Sequence, residues 1–182
     1  MRKMRESRLP RHHDFALITG ASSGIGAAFA RVTPPGTGLL LTGRNEAKLA
    51  EEAESLSRED RRVETLALDL TRRDDRARLI EAAERLEIDL FVNNAGAGGL
   101  GAALEQPPEQ QSTTIELNVV AMAELTRALV PGMLARAHAG GNRAGLIIVS
   151  SSTATFPLPF FTTYTASKAF GLYYSEGLAE EL

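Results

Sequence analysis

Cysteine and tryptophan are absent from this chain of 182 residues, and aromatic side chains make up only 5% of it. Without a thiol there is no disulfide framework, no thiolate nucleophile and no soft metal ligand. His12, His13 and His138 have no carboxylate or cysteine partner at metal-ligand spacing, so metal chemistry is not expected. No apolar run approaches the roughly 20 residues needed to cross a bilayer, and Met1 to Asp14 is basic without the apolar core of a secretory signal. A cytoplasmic chain that stays out of the membrane is the expectation. Net charge is also small, at −3. Arg2, Lys3, Arg5, Arg8 and Arg11 outweigh Glu6 and Asp14 at the start, but neither aromatic interleaving nor a basic folded face follows. Residues 1–14 therefore read as a flexible, solvated leader, and no nucleic-acid partner is expected.

What is present is the material of one α/β domain over residues 15–182. With 43% hydrophobic and 24% charged residues, that length suffices to bury a single core. Short apolar runs at Ala16 to Thr19, Leu39 to Thr42, Val63 to Leu68, Leu90 to Asn93 and Leu146 to Ser150 alternate with longer stretches of helical period. Each run is apolar at nearly every position, as parallel strands covered on both faces are. Leu49, Ala53 and Leu56 follow a helix N-cap at Asn45, while Leu79, Ala83 and Leu86 follow one at Thr71 with Asp74 three residues on. Pro107 and Pro108 suit the first turn of a longer helix through Ile115 to about Val130, which Pro131 is expected to end or kink. The first helix opens at Gly24 to Gly26 and runs into Thr33-Pro34-Pro35-Gly36-Thr37-Gly38, so it must stop early.

Thr19-Gly20-Ala21-Ser22-Ser23-Gly24-Ile25-Gly26 sits between an apolar strand and a helix. That is where a phosphate cradle belongs, because glycines let the backbone approach a pyrophosphate and the helix N-terminus offers free N–H groups. Such a loop also arises where close packing is its only purpose.

The loop resembles the TGxxxGIG signature of short-chain dehydrogenases/reductases, and further motifs of that family follow in order. Asp69-Leu70 is similar to its adenine-contacting acid, and Asn93-Asn94-Ala95-Gly96 to its NNAG motif beside the cofactor. Asn118 matches its helical asparagine, Ser151 its serine, and Tyr164-Thr165-Ala166-Ser167-Lys168 its YxxxK pair. The resemblance covers residues 15–182. It implies a Rossmann-type, doubly wound parallel sheet of strand order 3-2-1-4-5. It implies cofactor binding by Gly20, Ser22, Ser23, Gly24, Ile25, Gly26, Asp69, Leu70, Asn94, Ala95 and Gly96. It also implies a homodimer through about Glu109 to Val130 and Tyr164 to Leu182.

Tyr164 and Lys168 are four apart and share a helix face. A phenol that exchanges protons near neutrality needs its phenolate stabilised; the Lys168 ammonium can supply part of that, and the positive nicotinamide ring of an oxidised cofactor would supply more. By resemblance, Lys168 also holds the nicotinamide ribose, Ser151 polarises the substrate oxygen, and Asn118 holds a water on the proton path. The end of the second strand decides between the two dinucleotides. There, Gly43 replaces the acid that would hold a free ribose 2′-hydroxyl, and Arg44 offers a fork suited to a 2′-phosphate. NADP, rather than NAD, is expected, with a small carbonyl or alcohol as substrate. Phe156 to Phe161 reads either as an apolar wall of the substrate pocket or as a core or subunit contact. A non-catalytic dinucleotide-binding module is the alternative. Family members continue past the YxxxK helix with two further strands, a covering loop and a Pro-Gly segment, and the chain stops at Leu182 still in helical pattern. An incomplete family member is therefore expected, with cofactor affinity retained in reduced form, turnover weak or absent, and the strand at Leu146 to Ser150 as a sheet edge that a continuation, a partner subunit or loop material must cover.

Overall fold

The computed structural model describes residues 13–57, 61–140 and 143–182. The expected leader, up to residue 12, lies outside them. Each apolar run becomes a strand: β1 (Phe15–Thr19), β2 (Gly38–Gly43), β3 (Val63–Ala67), β4 (Leu90–Asn93) and β5 (Gly145–Ile148). They form one parallel sheet in the order β3-β2-β1-β4-β5. Central β1 is paired on both sides, with Ile18 opposite Leu41 of β2 and Val92 of β4. Alternate side chains of a strand point to opposite faces. Leu17, Leu40 and Phe91 accordingly pack under α3 (Arg73–Arg85) and α5 (Met122–Gly140), through Leu79, Ala83, Leu125, Leu129 and Met133. Ala16, Ile18, Leu39 and Leu41 pack under α1 (Gly24–Val32) and α2 (Glu46–Leu56), through Ala30, Leu49 and Leu56. This is the two-faced arrangement of a Rossmann-type sheet.

The Asn45 cap forms as expected, its Oδ1 accepting from Lys48 N at 3.0 Å. The early stop of α1 also appears: Thr33 N and Oγ1 both donate to Phe29 O. Buried Arg61 then donates through Nη2 to Thr33 O and Pro34 O, both at 2.6 Å, so the freed carbonyls are satisfied from β3's side.

Two helix boundaries differ from expectation. Thr71 does not cap α3; the helix starts at Arg73, with Arg72 in the cap position. Thr71 N and Oγ1 instead both donate to Asp69 Oδ1, at 3.1 and 2.8 Å, which turns the chain before the helix begins. Pro131 does not end its helix either. The segments α4 (Pro108–Ile115), a π-helical turn (Glu116–Ala121) and α5 run on as a continuous helix to Gly140. The missing N–H and steric clash of an interior proline cost about 3 kcal/mol, but Leu129, Val130 and Met133 around it are buried, and that burial keeps the helix going. At 33 residues, Pro108–Gly140 is long and apolar enough by length and composition to cross a membrane, unlike any run anticipated from sequence. Ala121, Leu125, Leu129 and Met133 of this helix belong to the core on one face of the sheet.

At the opposite end of the sheet, Asp89 gathers three strands. Its carboxylate accepts from Asp14 N and Phe15 N, its backbone N–H donates to Phe15 O, and its carbonyl accepts from Gly145 N.

Candidate functional site

The strand order reverses between β1 and β4, and the crevice at their C-terminal ends is where an open α/β sheet binds ligands. Gly20 opens this crevice with φ +67°, a conformation that favours glycine. A Cβ on Gly26 would collide with the Gly20 carbonyl oxygen, so helix and loop touch backbone to backbone. Ser23, at the N-cap of α1, makes no side-chain cap bond, which leaves the first-turn amides of the helix open to an anion. Thr19 and Asn94 lock this loop to β4. Thr19 Oγ1 accepts from Asn94 N and Ala95 N at 2.9 Å each, and Asn94 Nδ2 donates to Thr19 O at 2.8 Å.

One cavity of about 470 Å³ brings together most of the residues anticipated from sequence. Gly20, Ser22, Ser23 and Ile25 line it from the loop, Arg44 from the end of β2, and Asp69 and Leu70 from the turn after β3. Asn94, Ala95 and Gly96 line it after β4, and Tyr164 and Lys168 from α6 (Thr162–Glu181). Gly24, Gly26, Asn118 and Ser151 are not on its wall. The glycines shape the loop behind the wall.

Lys168 is 8% exposed and its ammonium donates to Val149 O at 3.0 Å, the one hydrogen bond Nζ makes among the described residues. An ammonium has three N–H donors, so two remain. No carboxylate pairs with Lys168 there, and burial pushes its pKa below the usual lysine range. Its Nζ lies 5.9 Å from the centre of the Tyr164 ring. Gly98 admits that ring, since a Cβ there would come within 2.5 Å of Tyr164 Cδ2.

Asn118 is buried in the π turn, with both ends of its amide in use. Oδ1 accepts from Ala97 N at 2.9 Å, and Nδ2 donates to Ala97 O and to Ser167 Oγ at 2.8 and 2.9 Å. Ser151 Oγ accepts from Thr153 N and lies 2.9 Å from Thr153 Oγ1. Its neighbour Ser150 lines the cavity instead and donates to Lys168 O at 2.8 Å. Phe156, Pro157, Leu158 and Pro159 line a separate apolar cavity of about 690 Å³ against α6 and do not border the first, while Phe161 packs edge-on against the Tyr164 ring.

Sequence reading gave no site role to Gly98 and Leu117, took Thr71 for a helix cap and Val149 and Ser150 for strand residues, and quoted Thr19 only as part of the loop. The Gly98-Gly99 pair after the NNAG motif was the one visible signal.

Residues 14–182 match the family model described as short chain dehydrogenase. The chain belongs to that family. Among curated relatives, a very-long-chain 3-oxoacyl-CoA reductase of Danio rerio is 31% identical over 179 residues, covering 94% of this chain and 54% of the relative. The Sphingobium yanoikuyae short-chain dehydrogenase, solved in complex with NADPH, is 35% identical with a TM-score of 0.80, covering 92% of this chain and 65% of that one. The L-sorbose reductase of Gluconobacter frateurii, solved with NADPH and L-sorbose, is 33% identical with a TM-score of 0.80, covering 93% and 64%. This short-chain dehydrogenase chain thus spans about half the length of the curated relatives it matches.

Proposed function

We propose that the chain carries the cofactor-binding and proton-transfer groups of an NADP(H)-dependent oxidoreductase acting on a carbonyl or alcohol. The observation that carries this reading is one cavity shared by the glycine loop, Arg44, Tyr164 and Lys168. The residues fit the dinucleotide. The Gly20–Gly26 backbone contact and open α1 amides suit a pyrophosphate, the two spare Lys168 donors suit ribose hydroxyls, and exposed Arg44 has no hydrogen bond or ion pair among the described residues. When bound, NADP(H) supplies or accepts the hydride. The relatives solved with NADPH support the same choice.

In this reading Tyr164 exchanges a proton with the substrate oxygen, favoured by the Lys168 charge nearby. Ser151 donates to that same oxygen once its hydroxyl turns from Thr153. Asn118 fixes the Ala97 backbone against α6, and a water-holding role there falls to its remaining lone pair or its main-chain carbonyl. Arg44→Ala is expected to lower the preference for NADP over NAD by about tenfold or more, the worth of one lost charge-assisted phosphate contact. Paired binding titrations with the two cofactors measure it, and an unchanged ratio removes Arg44 from this role.

A second reading, a dinucleotide-binding module without turnover, is favoured by the engagement of Ser151 with Thr153 away from the cavity. Tight NADPH binding without loss of its absorbance across a broad carbonyl panel would select it. Self-association belongs to the first reading. Exposed Ile115, Val120, Phe170 and Tyr173 lie on the two helical segments expected at a dimer contact. Sedimentation velocity is expected to show a dimer, and a monomer at high concentration counts against it.

A further inference from the structure

Arg76 is a buried cation that none of the roles above uses. It sits in the first turns of α3, only 4% exposed, and its guanidinium reaches three separate segments. Nη1 donates to the carbonyls of Leu70 and Thr71 at 2.9 and 3.1 Å, and to Glu116 Oε1 at 2.9 Å. Nε donates to Glu124 Oε2 on α5 at 2.9 Å. Among the described residues no other side chain hydrogen-bonds both the turn after β3 and the π turn.

Burying a guanidinium between carboxylates incurs desolvation that an apolar side chain of similar size avoids, so the cluster is a poor device for stability alone. Its geometry serves a different end. Leu70 and Thr71 line the dinucleotide cavity beside Asp69, and Leu117, which follows Glu116, lines the same cavity. Asn118 is the next residue along. Leu70 O, Thr71 O and Glu116 share the N–H groups of Nη1 while Nε reaches Glu124, two nitrogens fixed in one rigid plane, whereas a lysine ammonium is a single point.

We infer that Arg76 is a positioning residue that couples the wall at Leu70–Thr71 to the π turn, so that closing this wall on the adenine half of the cofactor and seating Leu117 and Asn118 are one event. The inference rests on the dinucleotide reading of the cavity, but the mechanical coupling can be measured without any ligand.

The experiment is backbone hydrogen exchange on the whole chain for wild type, Arg76→Lys, Arg76→Met, and the triple variant Arg76→Met with Glu116→Gln and Glu124→Gln. The triple variant leaves no unpaired carboxylate to unfold the protein. Exchange at residues 69–72 and 116–121 is expected to rise together by about tenfold in the lysine and triple variants, with β1 and α1 unchanged. A rise in one segment only, rescue by lysine, or a uniform rise that includes β1 and α1 overturns the coupling. A second arm titrates NADPH and reduced nicotinamide mononucleotide, which lacks the adenine half. NADPH binding is expected to weaken by about tenfold in the lysine variant with mononucleotide binding unchanged, and equal weakening of both overturns the adenine-side assignment. If wild type binds neither nucleotide, the dinucleotide reading fails, while exchange on the free chain still decides the coupling.

Discussion

Tyr164→Phe is expected to lower carbonyl-dependent NADPH oxidation by at least about a hundredfold, the usual worth of a positioned acid or base, with cofactor affinity within about twofold of wild type. The substitution isolates chemistry because the phenol oxygen makes no hydrogen bond to the protein among the described residues. The ring's own contacts, edge-on to Phe161 at 6.0 Å and against Gly98, stay with phenylalanine. Absorbance assays paired with a binding titration give both numbers from one preparation. Turnover equal to wild type would remove Tyr164 from the proton path, and a matching loss of affinity would recast it as a cofactor-packing residue.

Lys168→Met should split activity from stability. Turnover falls as the charge beside Tyr164 and the ribose donor disappear, yet the thermal midpoint at neutral pH rises. A buried ammonium with one carbonyl partner and no carboxylate opposes folding, and methionine fills a similar volume without that burden. The linkage fixes the sign. Burial lowers the folded-state pKa of Lys168, so between that value and the ordinary lysine pKa the unfolded chain holds more protons, and stability rises with pH. The advantage of the methionine variant is therefore full below the folded pKa and shrinks as pH climbs towards the ordinary lysine value. Calorimetry of both proteins across the alkaline range reads this directly. A methionine variant that melts lower at neutral pH, or a gap that widens with pH, contradicts it.

Local chemistry was the legible part of this sequence. The strands could be read because residues such as Leu39, Leu40 and Leu41 are buried on both sides of the sheet and leave an unbroken apolar run. The Asn45 cap could be read because it acts three residues away. Thr71 misled because Asp69, two residues before it, competes for the same N–H and hydroxyl. Pro131 misled because burial of its neighbours outweighs its local cost. In the site, the glycine loop and the Tyr164–Lys168 pair were visible as spacings. The bonds that weld the loop were not, since Thr19 meets Asn94 across a separation of 75 residues, and Asn118 meets Ser167 across 49. Phe156 to Pro159 could not be oriented from sequence, and the structure turns them to another groove.

The place of β1 in the sheet governs the order in which the molecule can be made. Of the five strands described, β1 comes earliest in the chain and is also the central one, and Ala16 to Ile18 meet their second neighbour only at Leu90 to Val92. Until then β1, β2 and β3 can pair only as a half-sheet with one side of β1 bare. The amides of Asp14 and Phe15 also wait for the Asp89 carboxylate. Closing such distant pairs carries a loop entropy that local helices do not incur, so the nascent half-sheet is the slow and exposed stage of folding. At about 5–20 residues per second, synthesis leaves that bare edge waiting for several seconds, long enough for it to meet a chaperone or another nascent chain.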